Sequence, residues 1–147
     1  MISGGDELSF SKKGNNNTYC QDNELNYYDW DMQDEFKSEF LDFTKRLISF
    51  RKRFSVLQRR RFLSGNPVGI SGSKDITWFN PSGAELSHDE WHSPSTQCIG
   101  YILEGSAINQ VTERGKSVVG DTLLVLINAQ FHDVKFSIPE HFTQKPW

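Results

Sequence analysis

A chain of 147 residues suits one ordinary domain, or the end of one domain joined to a small second one. Its formal net charge of −3 gives no global attraction to nucleic acid or to an anionic membrane. Two cysteines, Cys20 and Cys98, are too few for a disulfide scaffold and lack metal-ligand spacing, so buried free thiols in a reducing cytosol are expected.

Met1 to Glu7 has neither the basic nor the apolar region of a signal peptide. No apolar run approaches the ~20 residues needed to span a bilayer. A cytoplasmic protein is therefore expected. Residues 1–30 read as a long loop after a short start, and Tyr19, Tyr27, Tyr28 and Trp30 argue that it is ordered. Within it, Gly14-Asn-Asn-Asn-Thr-Tyr-Cys-Gln-Asp-Asn-Glu24 gathers amides, a phenol and a carboxylate. That inventory suits sugar hydroxyls, each of which both donates and accepts. It equally suits a loop whose Asn and Asp side chains bond its own backbone. The residue types leave both readings open.

From Asp31 the texture becomes helical. Phe36, Phe40, Phe43, Leu47, Phe50 and Phe54 recur at alternating spacings of four and three, and Leu41 and Ile48 widen the face. Asp31 is the expected N-cap, with Asp34 and Glu35 in the first turn and Arg51, Lys52 and Arg53 in the last, as the macrodipole favours. The result is a helix of about six turns with a wide stripe, buried in a complete domain and exposed when the rest of that domain is absent. Gly65, Pro67, Gly69 and Gly72 then break the pattern, which places a boundary near residues 64–74. Beyond it come short apolar runs: Ile76–Phe79 before the turn Asn80-Pro-Ser-Gly83, then Cys98–Leu103, Thr122–Ile127, and Val134, Phe136 and Ile138 in alternation. Such runs suggest an antiparallel sandwich. A lone strand, loop and helix cannot close a domain, so the N-terminal half reads as the end of something larger.

Three weaker signals are set against simpler explanations. His88 and His92 share a helical face, but Asp89 stands where a zinc helix needs Glu, so no metal is expected. Arg51, Lys52, Arg53, Arg59, Arg60 and Arg61 read as a helix end and a solvated turn rather than a nucleic-acid site. Trp78, Trp91 and Trp147 could stack on sugar, but filling the core is the stronger reading.

Ser3-Gly-Gly-Asp-Glu7 followed by Gly14 to Glu24 resembles the segment after the eighth barrel strand in isoamylase-type glycogen debranching enzymes, of the α-amylase superfamily. Lys74-Asp-Ile-Thr-Trp-Phe79, Asn80 to Leu86, Asp89-Glu-Trp91, Thr122 to Ala129 and Val134 to Pro139 resemble that family's C-terminal region in the same order. The resemblance implies an α+β fragment. Residues 1–64 would be the last strand (Met1 to Asp6), the Asn-rich loop and the last helix (residues 32–54) of a (β/α)8 barrel. Residues 65–147 would be an antiparallel β-sandwich, incomplete because the family continues past a motif like Pro146-Trp147.

It further implies hydrolysis of α-1,6 branch linkages in glycogen, with an α-glucan and the missing N-terminal part of the barrel as partners and with no cofactor. Barrel active sites form from such loops. Asn15, Asn16, Asn17, Tyr19, Gln21, Asp22 and Asn23 are thus expected to bind substrate, with Asp6 and Glu7 nearby. The family's catalytic acids lie on earlier strands. Asp6 and Glu7, pointing to opposite faces of a strand, make a poor pair, so no catalytic residue is assigned and the isolated chain is expected to be inactive. The competing reading is a non-catalytic glucan-binding or domain-stabilising module.

Overall fold

The computed structural model describes residues 3–31, 34–68 and 72–144. They fall into two compact units, Met1–Arg53 and Phe54–Trp147. The division precedes the expected boundary near residues 64–74 because Val56 enters the second unit's core, with Phe54 and Leu57 against it.

In the first unit the expected terminal strand is replaced. Met1 and Ile2 lie outside the described residues, and Asp6–Leu8 forms a 3₁₀ turn. Gly5, at φ 97°, admits the reversal. The Asp6 carboxylate accepts from the Ser3 N–H at 2.8 Å, and Glu7 accepts from the Gly5 N–H at 3.0 Å. These local bonds use backbone donors that a strand would offer to a neighbouring strand.

The loop that follows is ordered as expected, around aromatic side chains. Tyr28 donates its hydroxyl to the Gly4 carbonyl at 2.9 Å and packs edge-on to Phe10 at 5.1 Å and Trp30 at 5.9 Å. A Cβ on Gly5 would lie 2.4 Å from the Tyr28 ring, so the contact depends on glycine.

Helix α1, Glu35–Arg53, is the predicted amphipathic helix, and its basic last turn is as expected. Its cap is Asp34 rather than Asp31: the Asp34 carboxylate accepts from the Phe36 N–H at 2.9 Å and its carbonyl from the Ser38 N–H at 3.1 Å. The stripe is not buried. Thr44 is the buried residue of the helix, while Phe36 and Phe43 are 62% and 53% exposed. Among the described elements of the first unit, the Asp6–Leu8 turn packs against α1 and is too small to cover a face of this width. Among the described residues no helix is long and apolar enough to cross a membrane.

The second unit holds two antiparallel sheets. Pro67–Val68 (β1) pairs with Ser73–Lys74 (β2), and Ile76–Phe79 (β3), Cys98–Leu103 (β4) and Leu123–Asn128 (β5) form a sheet in the order β3-β4-β5. The register sets Trp78 opposite Tyr101, and Tyr101 opposite Val125. Side chains alternate between faces, and both faces carry apolar clusters. Ile76 and Leu103 pack with Val56 and Ile108 in one, and Phe79 and Ile102 pack with Phe142 in the other. This explains why β4 is continuously apolar rather than alternating; β5, equally apolar, leaves Leu126 and Ile127 exposed. Gly100 lies opposite Phe79, whose ring fills the space: a Cβ there would be 2.2 Å from it.

The Asn80–Gly83 turn forms as predicted, with Asn80 Oδ1 accepting from the N–H groups of Ser82 and Ala84. Helix α2, His88–His92, starts in a reciprocal capping box between Ser87 and Glu90, a Ser-x-x-Glu signal present in the sequence. The expected last strand is corrected. Val134 to Ile138 forms no ladder; instead Phe136 and Ile138 cover the Phe79 cluster, and the Ser137 N–H donates to the Pro81 carbonyl at 2.9 Å. Burial, rather than pairing, explains its alternation. Cys98 is a buried thiol, but Cys20 is exposed, contrary to expectation.

Candidate functional site

The Asn-rich loop is built around two small polar residues. Thr18 is buried and accepts from Lys12 Nζ at 2.6 Å. Asn26 Nδ2 donates to the Thr18 carbonyl at 2.9 Å and also to the Gln21 carbonyl. Around this knot the Asn side chains close short turns. Asn15 Oδ1 accepts from the Asn17 N–H at 3.0 Å, Asn17 Oδ1 from the Tyr19 N–H at 3.4 Å, and Asn23 Oδ1 from the Leu25 N–H at 3.0 Å. Gln21 Nε2 donates to the Asn17 carbonyl at 3.3 Å. Asn15, Asn17, Gln21 and Asn23 therefore brace the loop, one of the two roles the sequence left open.

The remaining candidates face outward. Asn16 is exposed, and Tyr19 is 86% exposed, so its ring offers a flat apolar face to a ligand. Asp22 Oδ1 accepts from the Tyr27 hydroxyl at 2.9 Å. The neighbouring carboxylate, assisted by partial desolvation, holds the Tyr27 phenol above its ordinary pKa. This pairing was not anticipated from the sequence, although a spacing of five in a turn-rich loop allows it.

Asp6 and Glu7 do share a cleft of about 540 Å³, with Phe10, Phe40, Phe43 and Leu47 among its walls. None of Asn15 to Asn23 lines it, so the structure does not bring the two sets of candidates together. With an oxygen of each carboxylate held by a backbone N–H, Asp6 and Glu7 are placed as turn-forming groups. The loop's outward groups are thus an exposed phenol ring, the Asn16 amide and one partly engaged carboxylate.

In the second unit Trp78 is half-buried and packs on Tyr101 at 4.7 Å and Trp91 at 5.2 Å, and Trp91 is 48% exposed. Core filling explains Trp78 but only part of Trp91, and Trp147 lies outside the described residues. His88 and His92 stack at 4.3 Å, and His92 Nδ1 donates to the His88 carbonyl at 2.8 Å. Among the described residues no group of three or more His, Cys, Asp or Glu side chains is placed to hold a metal ion.

Residues 75–147 match the family described as isoamylase, C-terminal. The whole chain is 38% identical to a glycogen operon protein GlgX homolog of Mycobacterium tuberculosis, covering 20% of that protein. It is 32% identical over 99% of its length to a glycogen debranching enzyme of Pectobacterium atrosepticum, covering 18% of it. An isoamylase of Flavobacterium sp is 30% identical over the whole chain, again with 18% covered. The chain spans about a fifth of the length of these relatives.

Proposed function

We propose that this chain, whose residues 75–147 match the isoamylase C-terminal family, is part of an enzyme hydrolysing α-1,6 branch linkages in glycogen or a related α-glucan. The observation that carries the proposal is similarity along the full chain to debranching enzymes and an isoamylase, rather than over the C-terminal domain alone. In this reading residues 1–64 complete a (β/α)8 barrel and residues 65–147 form its accompanying β-sandwich. The outward groups of the Asn-rich loop, with Tyr19 foremost, contact glucan, and Asn15, Asn17, Gln21 and Asn23 hold them in place. A cytoplasmic location accompanies that substrate.

A retaining glycosidase requires two carboxyl groups about 5 Å apart across the scissile bond. Asp6 and Glu7 serve a backbone turn instead, so the acids would come from the remainder of the longer protein. The chain alone should release no reducing ends from glycogen. The decisive experiment substitutes these 147 residues for the matched segment of the Pectobacterium atrosepticum debranching enzyme. A folded chimaera that debranches glycogen is the expected result. A folded chimaera without activity favours the second reading, a module that stabilises a neighbouring domain, for which the self-braced loop already speaks.

A further inference from the structure

In the second unit a cleft of about 500 Å³ is lined by Arg60, Arg61, Ser106, Asn109, Gln110 and Ser117, with valine side chains completing its wall. Its far side is a small hairpin. The Val118 N–H donates to the Gln110 carbonyl at 2.8 Å, the Thr112 N–H to the Lys116 carbonyl at 2.8 Å, and Gly115 turns the chain at φ 73°. Gly105 holds this hairpin close. Its carbonyl accepts from the Gly120 N–H at 3.0 Å, and a Cβ on it would lie 1.9 Å from the Gly120 oxygen.

The charge of this cleft is one-sided. No Asp or Glu is among the described residues that line it. Of the acids near its walls in sequence, Glu113 and Asp121 are exposed and lie outside the lining, and two others are engaged. Asp75 pairs with Arg59 at 3.0 Å, and Glu104 Oε1 accepts from the hydroxyls of Ser106 and Thr122 at 2.9 and 3.1 Å. Arg60 and Arg61, by contrast, are exposed and make no ion pair with a described acid, in a chain of net charge −3. The amide nitrogen of Gln110 is buried and meets no acceptor. A buried donor without a partner costs free energy and calls for an acceptor.

We propose that this cleft binds a phosphate group, either free phosphate or the monoester of a small phosphorylated sugar. Guanidinium groups match phosphate oxygens in paired hydrogen bonds, and the Gln110 amide supplies another donor. The volume lies within the roughly 300–1,000 Å³ of small-molecule sites, and the valine wall suits the apolar carbons of a sugar ring. Two adjacent arginines facing a hairpin form a local anion site, not the extended basic stripe that a nucleic-acid backbone requires.

Calorimetric titration of the whole chain at fixed ionic strength, with inorganic phosphate, glucose 1-phosphate and glucose as separate ligands, tests this. Both phosphates, or the monoester alone, should bind saturably at one site, and glucose should not. Tighter binding of the ester than of phosphate identifies the monoester as the source, and equal binding identifies free phosphate. The double variant Arg60→Gln, Arg61→Gln should lose at least tenfold in affinity with an unchanged melting temperature. As a measurement independent of the variant's folding, glucose 1-phosphate should protect Arg60 and Arg61, but not Arg46, from an arginine-selective reagent in the unaltered chain. Glucose binding as well as the phosphates, binding equal in the double variant, or equal labelling with and without glucose 1-phosphate would each overturn the proposal.

Discussion

Asp75 shows how much one side chain holds here. It is 2% exposed, and its carboxylate accepts from Arg59 Nη2 at 3.0 Å, the Gly65 N–H at 2.9 Å and the Ser64 N–H at 3.1 Å. It thereby ties the segment before β1 to the start of β3. Replacing it with Ala leaves a largely buried guanidinium and two backbone donors without their acceptor. Breaking a buried pair in this way costs about 3–5 kcal/mol, so Asp75→Ala should lower the urea midpoint markedly. A midpoint within error of the parent would refute the role. A residue-scale prediction also separates ligand contact from bracing in the loop. In the active chimaera, Tyr19→Ala should lower kcat/KM several-fold with little change in Tm, since an 86% exposed ring contributes little to packing. Asn17→Ala should instead lower Tm, because its carboxamide oxygen holds the Tyr19 N–H. The reverse pattern would exchange the two roles. The loop's donor and acceptor inventory was legible in the sequence, but which groups bond inward was not, because that depends on where Thr18 and Asn26 meet.

At the scale of elements, α2 offers a pH prediction. The Ser87 N–H, then the Asn80 amide and the Ser87 hydroxyl, donate to the Glu90 carboxylate and hold its pKa below the ordinary 4.5. A carboxylate whose folded pKa is depressed stabilises the fold above its unfolded pKa, and this stabilisation is lost as pH falls through the folded value. Amide exchange at Ser87 and Glu90 should accelerate in that acidic window and stay slow above it. Glu90→Gln keeps a capping side chain but removes the titration, so its exchange should lack this acid-dependent loss of protection. An unaltered pH profile in Glu90→Gln would show that another group is responsible. The helix period of α1 and the turn at Asn80–Gly83 were readable because their signals are local: spacing, capping and turn chemistry. The Val134–Ile138 segment has the same alternation as a strand yet forms none, because alternation reports burial of one face and not the presence of a pairing neighbour.

For the whole molecule, the exposed face of α1 has the largest consequence. Phe36, Phe43, Leu47 and Ile48 are all exposed on it. Fully burying such a side chain is worth roughly 1.5–3 kcal/mol, so the isolated chain should self-associate. Light scattering should give a mass that rises with concentration above the 16.9 kDa monomer, with binding of an apolar-surface dye. Phe43→Glu with Leu47→Glu should reduce both, and a parent that stays monomeric and dye-free would contradict the prediction. By itself the sequence determined the helix, the three longer antiparallel strands, the turn chemistry and the likeness to isoamylase-type enzymes, since each is written in spacing or in ordered motifs. Only the tertiary structure decided that Asp34 caps α1, that Asp6 and Glu7 serve a turn, and that Arg60 and Arg61 face a hairpin across a cleft. It also decided that Val56 belongs with the sheet. The cleft and the placement of Val56 depend on contacts between residues far apart in the chain; the cap and the turn are local, but several nearby acids could fill each role, and side-chain identity alone does not say which one completes it.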